Sequence, residues 1–194
     1  MPCLVDPVVA AGAMANIEQP VLEAHGLRLR PWLVHDADIL VAAYADLAIQ
    51  HWHARRFDSS AEAAAYIEQW HKAWNAESSA RWAVTDAETE EVLGQAGLLS
   101  VDLAGGEAGT SYWLLPHARG GGVAARAIGI VAEWALHELG LHRLELEHSV
   151  ANAESCRVAH RAGFALEGTM TEKWPQTDGW HDVHLHARLV TRAP

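Results

Sequence analysis

The run from Tyr112 to Arg126 gathers groups able to hold an anion. Tyr112, Trp113, Leu114 and Leu115 read as the end of a β-strand, and Gly120-Gly121-Gly122 as a turn. Val123, Ala127, Val131, Ala135 and Leu139 then recur at helical spacing, with Ile130 and Trp134 beside them. Three glycines at a helix N-terminus leave main-chain N–H groups unshielded, with the positive end of the helix dipole behind them. A pyrophosphate fits such a place, and Arg119 adds a planar charged fork. The run is not a Walker loop, because no Gly-Lys-Ser/Thr follows, and it lacks full Gly-x-Gly-x-x-Gly spacing. On these residues alone it is either an anion cradle or a flexible turn that binds nothing.

A second motif follows about thirty residues on: Asn152-x-x-Ser155, then a helix ending at Gly163-Phe164. Arg119-x-x-Gly122-x-Ala124 resembles the acetyl-CoA pyrophosphate motif (Gln/Arg-x-x-Gly-x-Gly/Ala) of the GNAT N-acetyltransferases. Asn-x-x-Ser before a helix ending in Gly-Phe resembles the second hallmark of their RimJ/RimL branch. Gly26-Leu27-Arg28-Leu29-Arg30-Pro31-Trp32 resembles that branch's opening, so the likeness covers about residues 26 to 190.

That resemblance implies acetyl-CoA as acyl donor and a primary amine as acceptor. It implies two parallel strands, before and after the long helix, that splay around the pantetheine arm. Main-chain groups of Trp113, Leu114 and Leu115 would hold the arm, and one N–H there would polarise the thioester carbonyl. Arg119, Gly120, Gly121, Gly122, Val123 and Ala124 would take the pyrophosphate. Ser155 stands where the RimL type has a serine proposed to protonate the departing thiolate. Asn152 would position pantetheine or acceptor amides, or serve only as a helix cap. Arg157 and Arg161 would reach CoA phosphates, or stay solvated.

The base is where the chain departs from the family. A glutamate common in RimJ/RimL proteins aligns with Gly109, and a second, proposed as base, aligns with Trp174, two positions from Glu172. His148, on the strand after the long helix, is one replacement, since imidazole suits proton transfer near neutral pH. The other is a water with no side-chain base. That favours an α-amine (pKa about 8) over a lysine amine (about 10.4), because far more of it is already neutral.

Nine tryptophans in 194 residues suggest an aromatic-lined pocket. Trp52, in a segment 50–57 read as a loop between helices, would form an acceptor wall with Trp113 and Trp174. Thirteen histidines raise the question of a metal. His184 and His186 fall on one face of a strand at a spacing that can bind zinc, but a third ligand would have to come from elsewhere. No metal is expected, and Cys156 has no neighbour that would make it a covalent nucleophile.

The elements that must position these groups follow in order. Residues 1–24 lack periodicity and read as an extension, packing on the domain or on a second copy in a homodimer. Residues 25–192 read as one α/β (α+β) domain of the GNAT fold: a mixed central sheet of about seven strands with flanking helices. An amphipathic helix begins at Asp36, and Ser59-x-x-Glu62 is a capping box for the next. Strands are expected at Leu27–Pro31, Arg81–Asp86, Val92–Ser100, Glu107–Leu115, His142–Val150, Phe164–Lys173 and His181–Val190. Asn152 caps a helix to Ala162, with Gly163 as terminator. The charge of −11 argues against a nucleic-acid partner and suits a cationic acceptor. No apolar run reaches membrane-spanning length, the first residues do not read as a signal peptide, and two cysteines suggest a reducing cytoplasm.

The expected function is N-acetyl transfer to an α-amine of a small molecule, such as an amino acid, aminoacyl conjugate or antibiotic, by direct attack in a ternary complex. A protein N-terminus is the alternative acceptor. A catalytically weak CoA-binding or sensor protein is the alternative of another class.

Overall fold

The computed structural model describes residues 4–190. Eight strands form one sheet: β1 Leu22–Ala24, β2 Leu27–Pro31, β3 Ala80–Asp86, β4 Val92–Asp102, β5 Glu107–Leu114, β6 Arg143–Ser149, β7 Ala165–Gln176 and β8 Gly179–Leu189. Their spatial order is β1-β2-β3-β4-β5-β6-β8-β7. Neighbours are antiparallel throughout except β5 and β6, which are parallel. The strand beyond the anticipated seven is β1, whose three residues are too few to show a period of two.

Among the described residues, five α-helices flank the sheet: α1 Ala37–Ala45, α2 Leu47–His53, α3 Ser60–Asn75, α4 Val123–Glu133 and α5 Ala153–Arg161. The segment read as a loop at 50–57 is helical up to His53. Only Ile49 of α2 is buried, so it shows no apolar stripe; the Asp46 side chain starts it by accepting from Ile49 N–H at 3.0 Å. α4 follows its apolar stripe but leaves α-geometry early, continuing as a π-helical turn over Trp134–Glu138. Ser59 caps α3 as expected, accepting from Glu62 N–H, while the Glu62 carboxylate reaches back to Asp58 N–H instead of closing the box on Ser59.

Each face of the sheet carries its own core. One face packs α4 (Ala127, Ile128, Val131) against Leu29, Trp82, Val84, Ala96 and Leu98. The other packs α1 and α3 (Leu40, Tyr44, Ile67, Trp70) against Trp32, Ala83 and Trp113. Residues 8–17, inside the stretch read as an extension, lie against the first core. Val9 pairs with Leu103 through the main chain, Met14 is fully buried, and the Glu77 carboxylate accepts from Gly12, Met14 and Ala15 N–H. Among the described residues no helix is long and apolar enough to cross a membrane.

Candidate active site

Parallel pairing of β5 with β6 stops early. Glu107, Ala108 and Gly109 register with Arg143, Leu144 and Glu145, and Thr110 Oγ1 donates to the Glu145 carbonyl at 2.9 Å. Past that point β5 stays on β4 as far as Leu114 and β6 stays on β8 as far as Ser149, so the two strands part. Main-chain groups along the fork lose sheet partners and need others. The fork opens a cleft of about 910 Å³.

At its mouth stands the glycine turn. Gly120 and Gly122 have φ of +87° and +72°, a region side chains disfavour. A Cβ at Gly120 or Gly121 would meet nothing within 4 Å. Gly122 is the N-cap of α4 and supplies no side-chain acceptor, so the first turn presents bare N–H groups beside open space. Gly120, Gly122, Val123 and Ala124 border the cleft. Gly121 does not, and its carbonyl accepts from Arg126 Nη1 at 2.9 Å. Arg126 lies one helical turn past the glycines, and no motif marks it. Arg119 borders the cleft, but its guanidinium is bound to the Leu114 carbonyl and, at 2.7 Å, to Asp46. It joins the turn to α2, and its hydrogen bond is the main reason the Asp46 carboxyl lies below its usual range. Leu114 borders the cleft; Leu115 does not, because its N–H donates to Leu93 and its side chain packs in the core.

Across the fork, the Asn152 side chain caps α5 by accepting from Ser155 N–H at 3.1 Å. Ser155 is 9% exposed, and its Oγ lies 2.8 Å from the Tyr112 hydroxyl on β5. Burial pushes the Tyr112 phenol up to about 12, with the Ser155 hydrogen bond partly opposing, so the phenol keeps its proton at neutral pH. No local spacing marks Tyr112, because its partner is 43 residues away.

His148 borders the cleft but is ill placed as the anticipated base. It is 4% exposed, its Nδ1 is bonded to the Ser149 carbonyl at 2.8 Å, and its Nε2 faces His186 Nε2 at 3.2 Å. Neither nitrogen is left for an acceptor, and burial holds its pKa below the ordinary imidazole value. His53, on α2, also borders the cleft; burial, then the charge of Arg81, lowers it to about 4. Glu147 lines the same wall, with its carboxylate held by Lys173 at 2.8 Å. Gly109 sits at the fork, while Glu172 is exposed on a left-handed residue (φ 47°) outside the cleft.

Of the three tryptophans expected to stack an acceptor, Trp52 and Trp174 are half-buried and border the cleft. The Trp113 ring does not serve. It is 3% exposed, with ring centroids 5.9 Å from both Trp32 and Tyr44, so Trp113 offers the cleft its main chain. Arg157 and Arg161 border the cleft, and Arg157 is ion-paired with Glu154.

A splayed parallel pair, an uncapped helix start behind glycines and a capped serine at the fork suit a long carrier with a diphosphate at one end. Comparison with known proteins points the same way. The family described as "Acetyltransferase (GNAT) domain" matches residues 26–165. The Bacillus subtilis (strain 168) protein "Uncharacterized N-acetyltransferase YoaA" is 23% identical over 174 residues, covering 89% of this chain and 98% of that one. The structure of RimL, the ribosomal L7/L12 alpha-N-protein acetyltransferase in complex with coenzyme A, superposes with TM-score 0.78 at 19% identity, over 88% of this chain and 98% of that one. Spermidine N-acetyltransferase from Vibrio cholerae, in complex with CoA and spermine, gives 0.74 at 21%, over 84% and 95%. With a family match across most of its length, the chain belongs to the GNAT acetyltransferases and is an acetyl-CoA-dependent N-acetyltransferase.

Proposed function

We propose that the chain acetylates the α-amine of a small molecule such as an amino acid, an aminoacyl conjugate or an antibiotic, by direct attack within a ternary complex. The observation that carries this reading is the Tyr112–Ser155 hydroxyl pair, set across the fork in a cleft whose two imidazoles are poor bases. Main-chain groups of Trp113 and Leu114 hold the pantetheine arm, and the bare first turn of α4 receives the diphosphate. As the amine nitrogen bonds to the acyl carbon and the C–S bond breaks, the electron pair goes to sulfur. Ser155 gives its hydroxyl proton to that sulfur and regains one from Tyr112, while the amine's proton leaves on water and restores the tyrosine. One proton moves in net from nitrogen to sulfur.

His148 is occupied, and His53 stays neutral down to about pH 4 and so accepts protons weakly. Without a strong base the acceptor must arrive neutral. At pH 7 about one α-amine in ten is neutral, against roughly one lysine amine in 2,500. The net charge of −11 draws amines, mostly cationic in bulk water, towards the protein, and their neutral fraction is what reacts. A protein N-terminus offers the same α-amine, and the RimL likeness favours it as second reading.

The test is free-thiol release from acetyl-CoA with a panel of free amino compounds, N-terminal peptides, polyamines and lysine side-chain analogues. Small α-amines should turn over with kcat/KM well above the rest. Preference for peptides would replace the small-molecule reading with the protein one, and preference for polyamines or lysine analogues would overturn the α-amine. Acetyl-CoA binding without thiol release from any acceptor would leave only a carrier-binding protein.

A further inference from the structure

A cluster beside the cleft takes no part in these steps. His148 on β6, His184 and His186 on β8, and Cys156 on α5 each offer one ligand atom, and these atoms all lie within 4.8 Å of one another. The β6–β8 register sets His148 opposite His184, and residues two apart on a strand share a face, so the three imidazoles stand on one side of the sheet. Their ring centroids are 5.1 to 5.9 Å apart.

Without a cation, buried nitrogens of this cluster are left without partners. A carbonyl can only accept, so His148 Nδ1, at 2.8 Å from the Ser149 carbonyl, carries the ring proton and Nε2 is a bare lone pair. His186 Nε2 points at that lone pair from 3.2 Å. If it donates there, His186 Nδ1 is a bare lone pair with no donor to meet it, and if Nδ1 holds the proton instead, the two Nε2 lone pairs face each other; His184 Nδ1 is likewise buried and unpartnered. Native interiors rarely leave such groups unsatisfied. A divalent cation satisfies the facing lone pairs together. Nitrogens bound tetrahedrally at 2.0–2.1 Å from zinc lie about 3.4 Å apart, close to the observed edge. The Ser149 carbonyl on the far side of His148 supplies the outer contact that orients a metal-bound imidazole.

We propose that His148, His184, His186 and Cys156 form a four-ligand site for a zinc-class divalent cation. Three imidazoles and a thiolate select zinc or cobalt over magnesium or calcium, which prefer oxygen. On binding, the Cys156 S–H bond is lost to a metal–sulfur bond and the proton leaves to buffer. The cation then ties α5 to β8 one residue beyond Ser155. The pattern escaped the sequence because His184 and His186 mark only half of it, and the other ligands come from elements well upstream.

The test uses the full chain, stripped with a chelator and titrated with Co²⁺ alone. One equivalent should bind, giving intense visible bands of a tetrahedral ion and a near-ultraviolet sulfur-to-cobalt charge-transfer band, and Zn²⁺ should displace it. Cys156→Ser should abolish the charge-transfer band, and His184→Asn should weaken binding 10- to 100-fold. Acetyl-CoA binding by calorimetry should persist in both variants, showing that they fold and keeping this outcome separate from that of the donor site. No uptake, a weak octahedral spectrum, or a spectrum indifferent to Cys156→Ser overturns the proposal.

Discussion

The Tyr112 hydroxyl and Ser155 Oγ lie 2.8 Å apart, one on β5 and the other in the first turn of α5. The contact joins the two sides of the cleft, and in the proposed reaction it meets the departing thiolate. Ser155→Ala should lower kcat about 100-fold, the scale of general acid catalysis, and Tyr112→Phe about tenfold. The double variant should be no slower than Ser155→Ala, because the tyrosine acts only through the serine. Steady-state kinetics beside acetyl-CoA titration checks this. Unchanged kcat in Ser155→Ala would remove the relay.

The glycine turn makes a prediction with two signs. At Gly121, where a Cβ meets open space, Gly121→Asp places a negative charge before α4. The helix dipole welcomes it by about 0.3–1 kcal/mol, so Tm should not fall. Affinity for acetyl-CoA should drop on the order of tenfold by repulsion of the diphosphate, within the scale of one close charge pair. A pantetheine thioester without the nucleotide should bind both proteins alike. Equal acetyl-CoA affinity in the two proteins would place the diphosphate elsewhere.

Much of this frame was legible in the sequence. The 3.6-residue stripe from Val123 to Leu139, the Ser59 and Asn152 caps and the glycine turn are local signals, and local signals survive without tertiary context. What escaped was tertiary. α2 is seven residues with one buried side chain, steadied by Asp46 and, through it, Arg119 seventy-three positions away. The Trp113 ring points into the second core by ordinary alternation, opposite Ala108 and Tyr112, and no local pattern shows that both faces of β5 are covered. The Tyr112–Ser155 contact and the histidine–cysteine cluster are long-range juxtapositions that no spacing rule reaches.

Burial raises both Tyr44 and Tyr112 from the ordinary phenol value of 10 to about 12. A raised pKa gives stability that is complete below pH 10 and is lost as pH climbs towards 12. For Tyr44, the more deeply buried, the loss is about 2–3 kcal/mol. Melting temperature should therefore fall between pH 10 and 12, and Tyr44→Phe should flatten that fall. An identical slope in the variant would contradict it.

Glu77 accepts from three main-chain N–H groups of residues 12–15, and those bonds, Gly12 first, hold its carboxyl below the ordinary range. A depressed carboxyl gives stability that is present above pH 4.5 and is lost as pH falls through the folded pKa. The segment should gain sensitivity to an acid-active protease below about pH 4 before the domain unfolds. Glu77→Gln should show that sensitivity at neutral pH. Met14→Ala, at a fully buried site, should cost about 2–5 kcal/mol in denaturant melts.

Trp52→Ala and Trp174→Ala should each raise the acceptor KM several-fold while leaving acetyl-CoA affinity alone, since both rings border the cleft while the glycine turn is untouched. Unchanged acceptor KM in both would remove the aromatic acceptor wall.

The most direct measurement is isothermal calorimetry of the wild-type protein with acetyl-CoA and with its pantetheine fragment. One site per chain, with affinity at least tenfold greater for the intact carrier than for the fragment, is expected if the fork between β5 and β6 and the first turn of α4 act together. No heat with acetyl-CoA, or equal affinity for carrier and fragment, would contradict it.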